Sequence, residues 1–589
     1  MVGGSGSGTN GSKSDNLVVR LSFELALAVL AYAEELEAAR RYVVARQLLR
    51  CGTSVGANVR EAQHAESRAD FVHKCKIAAK EAEETDYWLQ LCTHAPAYPT
   101  PPRLPRRNAI ERPSLIGPHH HIQQSQRYLN LYISTSCTSC TSCTFKKIMA
   151  ILSKDEAQAL LKKVLSYSAA DECEASLNGR TTGNIRYARN SVSTAGAADS
   201  VSLAVEARFG KRSGVATCNE FDEATLRRCV QRAEEIAKLA PESPEYVPLL
   251  GPQTYLSPPS TATTLFTAAT RAQAAADSVA LCAAKNLTAA GFLDGGTRFR
   301  ALRNSKGLEA YQQSTNTDFS VTVRTADGRG SGYAIADVTD PAKLNAKALT
   351  QRAADKALGS VNAKAIEPGK YTVILEPAAL IDGGDLSLLG GLMYGLDARS
   401  ADEGRSFLTK KGGGNRKGEK LFDERINFYS DPMNAEVPGN AFDDNGLPAK
   451  RLSWIEKGVV KNLYYSRFWA EKNKVAATPF PSGFIMTGGT QSTAELIKGT
   501  AKGILVTRLW YIREVDPQTL LYTGLTRDGT FYIENGAIKF PIKNLRFNES
   551  PIIMLNNVEA IGRPQRLAGC LVPPLKIRDF TFTSLSDAI

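Results

Sequence analysis

The sequence predicts an α+β protein in three unequal pieces. These are a truncated all-α helical bundle, a segment of biased composition, and a large two-domain region in which ββα repeats precede a β-rich domain. Three observations carry this reading. Apolar residues recur at helical spacing through residues 17–92. Between residues 98 and 148 periodicity gives way to Pro, Arg, Ser and Thr. From Met149 onward strand-like alternation dominates, first interleaved with helices and then broken by closely spaced turns.

At 589 residues the chain exceeds what one core supports, and 43% hydrophobic content is ample for several. The net charge of +12 invites a nucleic-acid reading. Yet Tyr98 to Ile148 alone holds seven Lys/Arg against one Glu, half of that excess, and no basic stripe runs through the remainder. Nucleic acid is therefore not expected as a partner. Most of the eleven cysteines sit singly inside helical or strand-like patterns, among them Cys75, Cys229 and Cys282, which fits a reducing compartment better than a disulfide framework. The opening "MVGGSGSGTNGSKSDN" lacks the basic start and apolar run of a secretory signal, and no stretch reaches 18 uninterrupted apolar residues. Residues 1–16 are expected to be a flexible terminus, the location cytoplasmic, and no membrane is expected as a partner.

The bundle occupies residues 17–95, with helices expected over Leu17 to Ala39, Arg41 to Gln63 and Arg68 to Cys92. In the third, Phe71, Cys75, Ala78, Ala82, Thr85 and Leu89 form the apolar stripe, and Ser67 with Asp70 resembles a capping box. Nothing here has the spacing of a metal or nucleophile site. The prolines of "THAPAYPTPPRLPRR" forbid a continuous fourth helix, so an apolar seam is left to be covered by self-association or by another part of the chain.

Residues 96–148 read as a disordered linker. His119, His120 and His121 are read as an incidental run. Cys137, Cys140 and Cys143 have the spacing of zinc or iron-sulfur ligands, but they belong to a literal Cys-Thr-Ser repeat without a fourth ligand nearby. "MAILSKDEAQALLKKVLSYS" looks like a fresh protein start at Met149, so two joined reading frames are expected.

Residues 149–370 are expected to form an α+β domain. "VSLAVEARFGKRSGVATCNEFDEATLRRCVQRAEEIAKLA" and "FSVTVRTADGRGSGYAIADVTDPAKLNAKALTQRAADKAL" share one order: strand, glycine-bearing turn, strand, helix. In the first, Asp222 is the expected N-cap and Leu226, Val230, Ala233, Ala237 and Ala240 the buried stripe. In the second, Asp340 is the expected cap with Pro341 in the first helical position. Both glycine segments lie between strands, whereas a phosphate loop must open a helix, so no nucleotide cofactor is expected. Residues 371–589 are expected to be β-rich, with turns at Asn445/Gly446 and Lys457/Gly458 and one helix over Leu386 to Leu396.

Two resemblances follow. "RQLLRCGTSVGANVREAQHAESRADFVHKCKIAAKEAEETDYWLQL" closely resembles the four-helix proteins encoded in ribosomal-RNA intervening sequences, which implies an oligomeric bundle. "NSKGLEAY", "DGRGSGYA", "YTVILEPAAL", "DEGRSF" and "FDDNGLPAKRLSWIEKGVV", in that order, resemble the TldD/PmbA family across nearly all of residues 149–589. In the TldD branch of that family the "LEP" strand precedes a helix carrying HExxxH, whose histidines hold zinc while the glutamate acts on the attacking water. The matching helix here reads "LLGGLMYGLDA". Its positions for the histidines are Leu389 and Tyr394, and Gly390 stands in the place of the glutamate.

All six histidines precede Met149, so zinc in the family-like region would need Cys or carboxylates. Asp382, Asp385, Asp397, Asp402 and Glu403 lie nearby in sequence, with Asp397 and Asp402 expected on a solvated face or helix end. Cys570 is the one cysteine after Cys282 and has no histidine to deprotonate it. The candidate catalytic residues are Asp402, Glu403 and Cys570; no metal ligand and no cofactor of this chain is assigned. The pattern resembles the PmbA branch, also called TldE, gyrase-modulator proteins in older descriptions. It implies a pseudo-enzyme component of a metalloprotease, with zinc on a TldD-type partner subunit and unfolded or flexible peptides as substrate. The alternatives are an independent peptidase or hydrolase with an unrecognised site, and an RNA- or ribosome-associated module led by the bundle.

Overall fold

The structure is a computed structural model that describes residues 17–63, 68–95, 98–99, 151–262, 264–382 and 387–586. Expectations for the amino terminus, the Ser67/Asp70 capping box, the linker with its His and Cys runs, and Asp385 fall wholly or partly outside these residues. The chain divides into two compact units, residues 1–146 and 147–589.

The first unit consists of helices α1 (Leu17–Ala38), α2 (Tyr42–Gln63) and α3 (Arg68–His94). Their shared core joins Leu25, Val29, Tyr32 and Leu36 to Leu48, Val55, Ala82 and Leu89. Of the stripe expected on α3, Ala78, Ala82, Thr85 and Leu89 are buried. Phe23, Leu27 and Leu30 of α1, at helical spacing, and Tyr87 and Leu91 of α3 are exposed. These are large apolar side chains that the described residues of this unit leave exposed.

The second unit opens with α4 (Lys154–Leu165), closed by a capping box between Ser153 and Glu156. Then come β1 (Glu172–Ala188), β2 (Ser191–Phe209), β3 (Arg212–Cys218) and α5 (Glu223–Leu239). The order repeats as α6 (Ala268–Ala284), β4 (Leu287–Asn304), β5 (Glu309–Thr325), β6 (Ser331–Val338) and α7 (Ala346–Gly359). The repeat is therefore αβββα, one helix and one strand longer than the ββα unit visible in the sequence. The extra strand of each copy is also a central one: the antiparallel sheet runs β3-β2-β1-β4-β5-β6, and β1 meets β4 at its middle.

Each copy brings its last helix against its third strand through a glycine. A Cβ on Gly214 would overlap the Ala233 carbonyl on α5, and one on Gly332 would overlap the Ala353 carbonyl on α7. Asp222 caps α5 as expected, its side chain accepting from the Thr225 N–H. Ala240 lies just past that helix. Asp340 caps only a short 3-10 turn, Pro341–Lys343. Leu344 then returns to extended backbone and packs into the core, and Asn345 caps α7 itself.

The helices cover one face of this sheet. The other face is polar, because alternate residues of each strand carry Arg, Asn, Asp and Ser. One transverse row places Asn184, Asp294, Asp318 and Asp337 directly opposite one another on β1, β4, β5 and β6.

The rest of the unit contains β7 (Gly369–Leu375), α8 (Pro377–Ile381), α9 (Leu388–Tyr394), α10 (Ala398–Asp402), β8 (Phe428–Ser430), β9 (Leu452–Glu456) and β10 (Val459–Val460). It continues through α11 (Arg467–Lys472), β11 (Phe484–Met486), α12 (Thr493–Lys498), β12 (Lys502–Asp516), β13 (Leu521–Glu534), β14 (Ala537–Pro541) and β15 (Leu545–Glu549). It ends with α13 (Pro551–Asn556), β16 (Val558–Ile561), β17 (Gln565–Leu567), β18 (Cys570–Val572) and β19 (Leu575–Leu585). Strands β12, β7, β19, β15 and β13 pair in that order, and β13 pairs again with β12, which closes a five-stranded ring. Val373 and Leu375 of β7 enter the large core with Ile504 and Val506 of β12, while Ile374 and Leu505 enter a smaller one with Phe531 and Ile533. Burial on both faces explains the continuous apolar run "VIL" in β7. Lys457 and Gly458, both at positive φ, make the expected turn between β9 and β10.

Candidate functional site

Strand β7 delivers Glu376 and Pro377 to the start of α8. Pro377 occupies the first turn, where its missing N–H costs nothing. Glu376 does not cap the helix with its side chain; its carboxylate pairs with Lys356 of α7, linking the αβββα sheet domain to the ring. Burial pulls the Lys356 ammonium below its usual range while Glu376 pulls it back.

Helix α9 stands where the sequence places the metal motif. It is shorter than the expected Leu386–Leu396 because Ser387 caps it, its hydroxyl accepting from the Gly390 N–H at 3.0 Å. Leu389 is 0% exposed and lies in the large apolar core with Leu388 and Leu392. A Cβ on Gly391 would overlap the Tyr522 hydroxyl of β13, so the glycine admits a strand side chain into the helix surface. Tyr394 is 52% exposed; its ring lies 5.9 Å from that of Phe480, which meets Tyr464 edge-on at 5.1 Å. Zinc does not fit these positions. Leu389 and Gly390 offer no donor atom, and a single phenol does not make a site. Among the described residues no group of three His, Cys, Asp or Glu side chains is placed to hold a metal ion.

The other candidates are held apart, each by partners of its own. Asp402 lies at a helix end, as the last residue of α10, and is half-buried: its carboxylate accepts from Asn415 at 2.7 Å and from the Trp469 indole at 2.8 Å. Asp397 is the N-cap of α10 and accepts from the Ser400 N–H at 2.7 Å. Glu403 pairs with Arg405 and Arg399 on the surface, which hold its carboxyl below the usual range. Cys570 is buried in β18, and burial pushes its thiol up to about 11. Neither a nucleophile with its base nor a carboxylate pair is assembled from Asp402, Glu403 and Cys570.

The structure does assemble a charged cluster where the sheet domain meets the ring. Arg508 of β12 lies 3.0 Å from Asp382 and 3.3 Å from Asp528, and its guanidinium stacks on Tyr333 of β6 at 3.9 Å. Ser331 donates to Asp528 at 2.6 Å. Burial raises the Asp382 carboxyl despite the opposing pull of Arg508. Arg566 of β17 pairs with Asp337 at 2.8 Å. Asp318, opposite Asp337, is pushed up to about 6, first by burial and then by the Asp337 and Asp294 charges. Sequence reasoning named Asp382 but missed the others, because Ser331 and Asp528 lie 197 residues apart and Asp337 and Arg566 lie 229 apart.

Such a chain is a two-copy αβββα sheet joined to a β-ring whose "LEP" strand feeds a buried helix, with apolar packing at the position that the resemblance assigns to the metal. Residues 173–237, 258–361 and 368–584 match, in order, domain 1, the central domain and the C-terminal domain of the PmbA/TldA metallopeptidases. The chain belongs to the PmbA/TldD family. Residues 14–98 match the 23S rRNA-intervening sequence protein. A metalloprotease of Methanothermobacter thermautotrophicus is 22% identical over 295 residues, 45% of this chain and 60% of that relative. The chain thus matches little more than half the length of that relative. The crystal structure of TldE from Thermococcus kodakarensis superposes with a TM-score of 0.65 at 18% identity, over 72% of this chain and 99% of that one. That of a candidate modulator of DNA gyrase from Thermotoga maritima gives 0.65 at 16%, over 72% and 100%. At such identities these two similarities concern the fold alone. Among the described residues no helix is long and apolar enough to cross a membrane.

Proposed function

We propose that this chain is the TldE-type component of a two-protein metalloprotease, contributing to proteolysis of unfolded or flexible peptides in the cytoplasm without holding the metal itself. The observation that carries the reading is Leu389, fully buried at the position of the first zinc-binding histidine, in a region of the chain that contains no histidine. A TldD-type subunit supplies the zinc and the activated water. The present chain supplies a folded neighbour in which α9 is packed for shape, with Tyr394 and Phe480 on its outer side. The bundle, with Phe23, Leu27 and Leu30 exposed, supports self-association as its contribution.

The test is metal content and casein-peptide hydrolysis of the full chain, alone and mixed with a TldD-type protein from the same source. The expected result is no stoichiometric zinc and no hydrolysis alone, with binding to the partner and a rise in its activity. Stoichiometric zinc together with hydrolysis by the chain alone would overturn the proposal.

A further inference from the structure

Among the seven cysteines whose side chains are described, six are buried and Cys218 alone is half-buried. It ends β3, on the strand face that carries Gly214 and Ala216 toward α5. Cys229 lies on α5 one turn before Ala233, the residue whose carbonyl crowds Gly214. Both side chains belong to the same apolar cluster, Cys229 as a buried member and Cys218 packed against it from the facing strand.

The second copy of the repeat shows that packing does not require this pair. Gly214, Ala216 and Cys218 correspond to Gly332, Ala334 and Ala336; Cys229 and Ala233 correspond to Leu349 and Ala353. The matching positions of the second copy thus hold alanine and leucine, and Leu349 packs against the core. Two thiols at one junction and none at its twin call for a chemical explanation.

We infer that Cys218 and Cys229 form a redox-active thiol pair, which a small-molecule disulfide converts into an intramolecular disulfide stapling edge strand β3 to α5. Cys218 is the attacking group. It is the more exposed of the two, and its thiolate is favoured by the neighbouring Cys229 and the Glu220 N–H, whereas the neighbouring Cys218 and burial hold Cys229 protonated. The Cys218 thiolate attacks one sulfur of the reagent, the reagent's bond breaks, and one thiol departs. Cys229 then loses its proton and attacks the Cys218 sulfur of the mixed disulfide, and the second thiol departs. Two protein thiols are oxidised and one disulfide is reduced to two thiols.

The test treats the folded full chain with oxidised glutathione at about pH 8, alkylates the remaining thiols and maps the peptides. The expected product is a cross-link between the peptides holding Cys218 and Cys229. In Cys229→Leu, which copies the second repeat, a glutathione adduct is expected to persist on Cys218. Alkylation of both cysteines in the wild type after full exposure would overturn the inference. So would a stable Cys218 adduct in the wild type, because Cys229 would then be out of reach.

Discussion

Gly391 of α9 and Tyr522 of β13 occupy one place between them: the tyrosine hydroxyl fills the volume a glycine Cβ would take. The helix that resembles a metal site is therefore fitted to a strand. Gly391→Ala should destabilise the chain by about 1–3 kcal/mol through overpacking. Gly391→Ala with Tyr522→Phe should recover part of that loss, since the hydroxyl is the first atom met. Urea midpoints of the single and double variants measure it; equal midpoints for both would remove the hydroxyl from the account.

Leu389 and Tyr394 stand at equivalent ligand positions but in opposite environments. Leu389→Ala should cost about 2–5 kcal/mol, as for a truncated core leucine. Tyr394→Ala should cost about 1 kcal/mol or less, because its ring is half exposed. Thermal unfolding of the two variants, side by side, reads the difference.

Arg508 is shared by Asp382 and Asp528 at a buried junction. Arg508→Met leaves the Asp382 carboxylate without its cation and Asp528 with only Arg527 at 3.8 Å and the Ser331 hydroxyl, and should destabilise by about 3–5 kcal/mol. Adding Asp528→Asn to that variant should restore stability in part. A double-mutant cycle that gave additive losses would show that the pair does not interact.

Asp318 makes stability depend on pH in a defined direction. Its folded value of about 6 lies above that of an unfolded aspartate, so the folded chain holds a proton that the unfolded chain releases. Stability contributed by that proton is present below about pH 4 and is lost as pH rises through about 6. Asp318→Asn should therefore be more stable than wild type at about pH 7.5, and the two should converge toward about pH 4. Paired urea titrations at the two pH values test the sign; a gap that widened on acidification would contradict it.

Asp402 and Cys570 are expected to matter for structure. Asp402→Asn leaves the Trp469 indole with a poorer acceptor and should cost about 1–2 kcal/mol. Cys570 should react with a thiol reagent only on the timescale of local opening, as its buried thiol is pushed up to about 11. Rapid reaction of Cys570 in the folded chain, followed by peptide mapping, would contradict this.

Much of the fold was legible because its signals are local. The three bundle helices fall within three residues of their expected ends, and Asp222 caps α5 as its place before an amphipathic run suggests. The strand-turn-strand-helix repeat was visible for the same reason. Its first helix and strand were not, because β1 and β4 pair across 100 or more residues and carry polar residues along much of their open faces. Asp340 and Pro341 show a local rule that starts only a short turn, since Leu344, partly buried against the core, takes extended backbone right after it. At the candidate site the sequence revealed which ligands are missing, and it could not reveal the charged cluster. Arg508, Asp528 and Tyr333 come from separate strands and meet only where the ring lies against the sheet, and Arg566 reaches Asp337 from yet another strand.

The ring also orders events during synthesis. Strand β7 lies between β12 and β19, so the peptide that leads into α8 lacks both neighbours until residues 502–516 and 575–585 have been made. The αβββα sheet, complete by residue 359, has every partner it needs well before then. In order of synthesis the strands of the sheet domain are complete first, whereas the apolar "YTVILEPAAL" segment gains one neighbour about 120 residues later and the other only after about 200. Chains truncated before Leu575 lack β19 and therefore leave one edge of β7 and one edge of β15 without a partner strand.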